Sequence, residues 1–259
     1  MKILLHSSKS MKLASSTVHA LTSPQYIEQA TYLNQQLRRM NKTQLMTLMG
    51  VSGKIADTVK AHIDNWMDET AASAAALTFR GDIYSGLSAA TWNKADAQFA
   101  QKHLVIVSGL YGLLRPYDQI KPYRLEMGYK FKLDNGMILD KFWENEIAQT
   151  LDTSDVYLNL TSKEYFKVVE KRLQRSRMLT PKFLTVNDKT SLPVFVTVHA
   201  KIARGSFANW LITNKIDDAK QIVKYDQLNY RYHKRLSTDT QPVFVCQQFG
   251  GLGLSIRLK

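Results

Sequence analysis

Apolar positions recur along the chain in two rhythms. Short runs rich in aliphatic and β-branched residues occupy positions 3–6, 103–107, 156–160, 194–199 and 243–246, and longer stretches between them carry apolar residues at helical spacing. Short apolar runs suit strands and three-to-four-residue spacing suits amphipathic helices, so the alternation predicts a mixed α/β (α+β) fold. Between the first two runs lies a mostly helical block, about 24–103, opened by Ser23-Pro24, where serine can cap a helix and proline suits its first turn. Inside it the tract Ala71-Ala72-Ser73-Ala74-Ala75-Ala76 suits either a tightly packed helix or a plain connector. No repeat, low-complexity tract or Pro/Gly/Ser-rich linker divides the chain, so residues 1–259 are expected to form one compact domain.

Within the helical block, residues 43–66 read as a helix, a tight turn carrying Gly50, Ser52 and Gly53, and a second amphipathic helix opened by Lys54. This resembles a helix-hairpin-helix. In such a hairpin glycines let the backbone approach a phosphate, while the unpaired N–H groups opening the second helix point outward at the positive end of its dipole. Contacts of that kind hold a nucleic acid without reading its bases. A glycine turn used only for geometry is the competing reading.

Charge favours the first reading. Thirty-five Lys and Arg against 22 Asp and Glu leave a net charge of +13 and an isoelectric point near 9.7. Polyanions are natural partners for such a chain, although lysines that merely solubilise would give the same balance. The single cysteine, Cys246, excludes an internal disulfide and fits a reducing compartment; within its apolar run it reads as a buried small hydrophobe rather than a peroxide sensor. The start of the chain is too weakly apolar for a signal peptide, and no run approaches the roughly 20 residues that span a bilayer. A cytoplasmic protein with no membrane role is expected.

The most distinctive stretch, residues 108–128, directly follows the run at 103–107. It holds Ser108, Tyr111, Arg115, Tyr117, Tyr123, Arg124 and Glu126 among several glycines. Loops beyond the carboxyl ends of strands are where α/β proteins tend to hold ligands. Arg115 and Arg124 could clamp phosphates, and the tyrosines could stack on bases. The alternative is a structural loop in which Arg124 pairs with Glu126, on the same side of an extended segment, and the tyrosines are packing residues.

Four motifs in order carry a family resemblance: Phe79-Arg80-Gly81-Asp82-Ile83-Tyr84-Ser85-Gly86-Leu87, the 108–128 stretch, Asn159-Leu160-Thr161-Ser162-Lys163-Glu164-Tyr165-Phe166, and Ala200-Lys201-Ile202-Ala203-Arg204-Gly205. Together they resemble the YaaA family of bacterial peroxide-stress proteins. The resemblance implies a single domain with a helix-hairpin-helix-like element and a positively charged cleft. It also implies binding to double-stranded DNA, with bulged or distorted duplex as a variant, and protection against peroxide linked to lower free iron. Cleft positions carried over are Lys9, Ser108, Tyr111, Arg115, Tyr123, Arg124, Asn159, Ser162, Lys201 and Arg204. At the N-terminus Ser7-Ser8-Lys9-Ser10 lacks the family's proline, leaving Lys9 as the clearest counterpart. Near the C-terminus Asn229-Tyr230 and Phe244-Val245-Cys246 depart from the family's Gly-Tyr and Phe-x-Arg.

An enzyme acting on a base or nucleotide is the alternative function, with Glu126, Glu164 and Tyr165 as candidate acid–base groups and Lys201 and Arg204 as an anion clamp. Ser162 as a helix N-cap with Glu164 in the first turn is the simpler account of that pair. The six histidines, His6, His19, His62, His103, His199 and His233, show no metal-ligand spacing, and no Walker-type or dinucleotide-binding glycine pattern appears. No metal or cofactor is expected, and a monomer is.

Overall fold

The apolar run at the start of the chain forms strand β1 (Lys2–His6), followed by β2 (Ser10–Met11). Helices α1 (Ile27–Arg38), α2 (Lys42–Met49) and α3 (Gly53–Asp64) come next, then β3 (Ser73–Ala74), α4 (Ala75–Thr78), β4 (Phe79–Arg80), α5 (Asp82–Leu87) and α6 (Lys94–His103). Strands β5 (Leu104–Ser108), β6 (Gly112–Leu114) and β7 (Gln119–Ile120) precede α7 (Leu139–Ile147), β8 (Tyr157–Asn159) and α8 (Lys163–Glu170). The last elements are β9 (Met178–Leu179), β10 (Lys182–Val186), β11 (Pro193–Val194), the long helix α9 (Thr197–Thr213), β12 (Arg231–Tyr232) and β13 (Val243–Cys246). The structure, a computed structural model, describes residues 1–14, 20–66, 72–148, 150–173 and 178–251.

The expected mixed α/β architecture is present as one compact unit. Its main sheet has the order β6-β5-β1-β8-β9, with β5, β1, β8 and β9 parallel and β6 antiparallel at one edge. Strand β1 is central: Leu4 pairs with Val105 on one side and Asn159 on the other. Ile3, Leu4 and Leu5 are fully buried, as are Ile106 and Val107, which is why these strands read as unbroken apolar runs rather than alternating ones. A second sheet, β11-β10-β13-β12, carries Phe183 and Phe244, whose rings stack at 5.4 Å, and α9 covers them with Phe207.

Helix α9 also crosses α5 at a distance only glycine allows. A Cβ on Gly205 would lie 1.8 Å from the Ile83 carbonyl oxygen, and one on Gly86 would lie 2.2 Å from that of Ile202. Gly86 and Gly205, prominent in two of the motifs, are therefore spacers that bring two backbones together.

Several expected elements differ. The run at 194–199 is not a strand: β11 stops at Val194, and Thr197 opens α9. Its β-branched residues suggest a strand locally, but the buried helical stripe of Ala200, Ala203, Phe207 and Leu211 prevails, leaving Phe195 half exposed. Helix α1 starts at Ile27 with Tyr26 in the cap position, so Ser23-Pro24 precedes it without capping it. The alanine tract splits into β3 and α4, because the N–H groups of Ala75 and Ala76 bond the carbonyls of Asp118 and Pro116; residue 71 lies outside the described residues.

Candidate functional site

Beyond the carboxyl ends of β1, β5 and β8 the chain leaves in diverging directions, since β1 is followed in the sheet by β5 on one side and β8 on the other. In open α/β sheets ligands tend to be held beyond strand ends arranged in this order. The residues arriving there are His6 and Ser7 from β1, Ser108 from β5, and Ser162, Glu164 and Tyr165 at the start of α8.

A buried chain of hydroxyls connects them. The Ser108 Oγ accepts from the N–H groups of Leu110 at 3.2 Å and Tyr111 at 2.9 Å, filling its lone pairs, so its own proton goes to the Tyr123 Oη at 2.7 Å. The Tyr123 hydroxyl also interacts with Ser7. Ser7 in turn lies 3.2 Å from the Tyr165 Oη, and the Tyr165 hydroxyl is directed at Glu126, whose charged form it stabilises. The hydroxyls of Ser108, Tyr123, Ser7 and Tyr165 thus form a polar chain that ends on the Glu126 carboxylate. Burial, aided by Glu164, raises the Glu126 pKa against the opposing pull of Lys9, Tyr165 and Arg124. Burial likewise lifts the hydroxyls of Tyr123, Tyr165 and Tyr84, so all three stay protonated and act as donors.

His6 lies on the same cluster, its ring stacked on Tyr165 with centroids 4.9 Å apart. The backbone N–H of Ser162 donates to its Nδ1 at 3.2 Å, which fixes the neutral tautomer with the proton on Nε2. Burial, then the charges of Arg204 and Lys201, lower its pKa to about 3. Tyr84 donates to the His6 carbonyl at 2.9 Å. The α5–α9 crossing at Gly86 and Gly205 is what carries Tyr84 on one helix and Lys201 and Arg204 on the other to this point.

Of the residues expected to form a site, Ser108, Tyr123, Glu126 and Tyr165 belong to the chain, while Lys9, Arg124, Glu164, Lys201 and Arg204 act on its charges from around it. Arg124 makes no ion pair with Glu126 among the described residues, and its Nε is buried without a hydrogen-bond partner. Ser162 occupies the N-cap of α8, but its hydroxyl turns to Glu164 at 3.4 Å instead of bonding the helix backbone. Glu164 is exposed and lies against Gly128.

Others lie elsewhere or are occupied. Arg115 is spent on the buried carboxylate of Asp118 at 2.9 Å and on the Ser23 carbonyl at 3.1 Å. It borders a cavity of about 270 Å³ with Lys2, at the amino end of β1, the opposite end of the sheet from His6. Tyr111, Tyr117 and Tyr123 are buried and so present no face for a base to stack on; the Tyr111 hydroxyl accepts the Lys121 N–H at 2.9 Å. Asn159 closes a local turn, its Oδ1 accepting from Thr161 N–H at 3.0 Å and hydroxyl at 2.7 Å. Cys246 is buried in β13 with its Sγ 3.5 Å from the Thr185 Oγ1.

The turn at 50–54 is far from these groups in sequence and stands at the surface. Asn41 and Gln44 cap the start of α2 reciprocally, and Gly50 ends it in the left-handed conformation at φ 59°, with open space where a side chain would project. Ser52 and Lys54 are exposed. Ser52 is the N-cap of α3 but makes no side-chain bond to its first turn. Lys42, paired with Asp57 at 2.7 Å, lies alongside Gly53.

His6, Ser7 and Tyr84 are the participants that sequence reasoning did not single out. Among the described residues no three His, Cys, Asp or Glu side chains converge as metal ligands, and no helix is long and apolar enough to cross a membrane. The family model described as peroxide stress protein YaaA matches residues 1–236. A UPF0246 protein of Salinispora tropica is 43% identical over 258 residues, covering 99% of this chain and 98% of the relative.

Proposed function

The chain belongs to the peroxide stress protein YaaA family, and on that premise we propose that it serves the oxidative stress response by binding double-stranded DNA largely without regard to sequence. It does so as a cytoplasmic monomer and shields the DNA it covers. The observation that carries this reading is the α2–α3 turn. Gly50 and Gly53 keep side chains away from the backbone there, and Ser52 leaves the first N–H groups of α3 to an outside acceptor. Lys54 adds a full charge at the positive end of the helix dipole. A phosphate fits that arrangement as a helix-hairpin-helix would hold it, and a net charge of +13 supplies the long-range attraction. The lower free iron that the resemblance implies is part of the proposal as a cellular consequence, measured as chelatable iron with and without the protein.

The test is fluorescence anisotropy with labelled duplexes of unrelated sequence. Lys54→Glu, at an exposed position that the fold does not need, is expected to weaken binding roughly tenfold and by the same factor on every duplex. Gly53→Val, which crowds Lys42, is expected to act in the same direction. Undiminished binding by both variants would remove the turn from the account.

A further inference from the structure

We propose that the polar cluster beyond β1, β5 and β8 is a second binding site, separate from the α2–α3 turn, for an organic phosphate monoester. Arg204, Lys201 and His6 hold the phosphate, and Glu126 accepts a hydrogen bond from the rest of the ligand.

The argument starts from cations without anions. Several other basic side chains have acidic partners: Arg115 has Asp118, Lys215 has Asp96, and Lys167 has Asp140. Arg204 and Lys201 have neither an ion pair nor a hydrogen bond among the described residues, although burial disfavours the Arg204 charge. A guanidinium drawn out of water without an anion is costly, and a site that keeps one is matched to an anion from outside.

These two charges act on a neutral imidazole, that of His6. With Nδ1 occupied by the Ser162 N–H, the His6 proton sits on Nε2, which has no acceptor among the described residues. Two cations and one neutral N–H donor form a set suited to the several oxygens and double charge of a phosphate monoester.

Phosphate alone leaves the other half of the cluster unused. The hydroxyl chain from Ser108 delivers its last donor, Tyr165, to Glu126 and so holds that carboxylate as an acceptor on one side. Its remaining lone pairs suit an O–H or N–H donor. A ligand that satisfies both halves is an organic phosphate carrying hydroxyl or amide donors. The phosphate can come from a free small molecule or from the phosphorylated end of a nucleic acid strand.

Isothermal titration of the full chain with AMP, GMP, CMP, UMP, ribose 5-phosphate, adenosine and inorganic phosphate separates these cases, alongside blunt duplexes with and without 5′-phosphates. Binding of at least one phosphate monoester is expected, with adenosine not binding and inorganic phosphate at least tenfold weaker. Arg204→Ala and the exposed Lys201→Ala are each expected to lower that affinity at least tenfold. Glu126→Gln is expected to weaken the organic phosphate but not inorganic phosphate. Lys54→Glu leaves the monoester unaffected, so the two sites fail or stand separately. If only the 5′-phosphorylated duplex shows this pattern, the strand end is the source of the phosphate. No binding by any monoester or phosphorylated end would overturn the proposal. So would binding that survives Lys201→Ala in a variant with an unchanged circular dichroism spectrum.

Discussion

At His6 three influences act in one direction. Burial, Arg204 and Lys201 all disfavour the imidazolium, so the folded chain holds this ring neutral down to about pH 3, whereas the unfolded chain protonates it near its ordinary value of 6.5. Between those values the unfolded state binds more protons, so stability rises with pH and is lost as pH falls from about 6.5 towards 3. His62 and His103, both lowered first by burial, add the same sign. Glu126 opposes them: its folded pKa is raised, so its contribution is present at acid pH and lost as pH rises through that value. Urea unfolding between pH 7 and 5 is therefore expected to show falling stability. His6→Asn is expected to flatten that fall by up to about 1.4 kcal/mol per pH unit; parallel profiles for the two proteins would contradict the assignment. His6 escaped notice in the sequence because a lone histidine at a strand end acquires meaning only when β1 proves to lie between β5 and β8. The tyrosines at 111, 117 and 123 failed as stacking faces for a related reason. Their loop folds back on the core, where Tyr123 meets Phe79 edge-on and Tyr111 lies tilted against Trp66.

Elements meet most closely where α5 crosses α9, and the crossing accounts for two motifs at once. Because a Cβ at residue 205 would lie 1.8 Å from a backbone oxygen, no rotamer change relieves the overlap and the helices must part. Gly205→Ala is expected to cost roughly 3 kcal/mol or more in urea unfolding, well above the ordinary gain of replacing a helical glycine by alanine. A neutral or stabilising effect would mean the helices are not in backbone contact. Such a loss would also displace Lys201 and Arg204 from His6. In the sequence this glycine belongs to a charged motif, and nothing local distinguishes a spacer from a loop glycine. Local signals served better where burial is simple. The runs at 3–6, 103–107, 156–160 and 243–246 became strands because apolar residues covered on both faces have one reading, and Gly50 became a helix terminus because few other residues adopt its conformation. The run at 194–199 misled because its β-branched residues belong partly to a helix whose stability comes from packing.

At the scale of the whole molecule the two proposed sites draw on the same excess of charge in different ways. The turn presents Lys54 in the open, where its effect is long-ranged and screened by salt, whereas Arg204 is withdrawn beside a neutral imidazole, where screening is weak. The first suits a long polyanion and the second a single compact anion. That division follows from burial, which composition does not report, and it is why a net charge of +13 pointed to a class of partner without separating the surfaces.

The central claim is that the α2–α3 turn holds DNA phosphates, and the salt dependence of duplex affinity tests it most directly. Association constants would be measured from 50 to 300 mM salt for the wild type, for Lys54→Gln, and for Lys189→Gln, an exposed lysine in the loop between β10 and β11. The account predicts a steep linear fall of log K with log salt, a slope shallower by about 1 for Lys54→Gln, and no change for Lys189→Gln. A flat salt dependence, or equal shifts for the two variants, would contradict it.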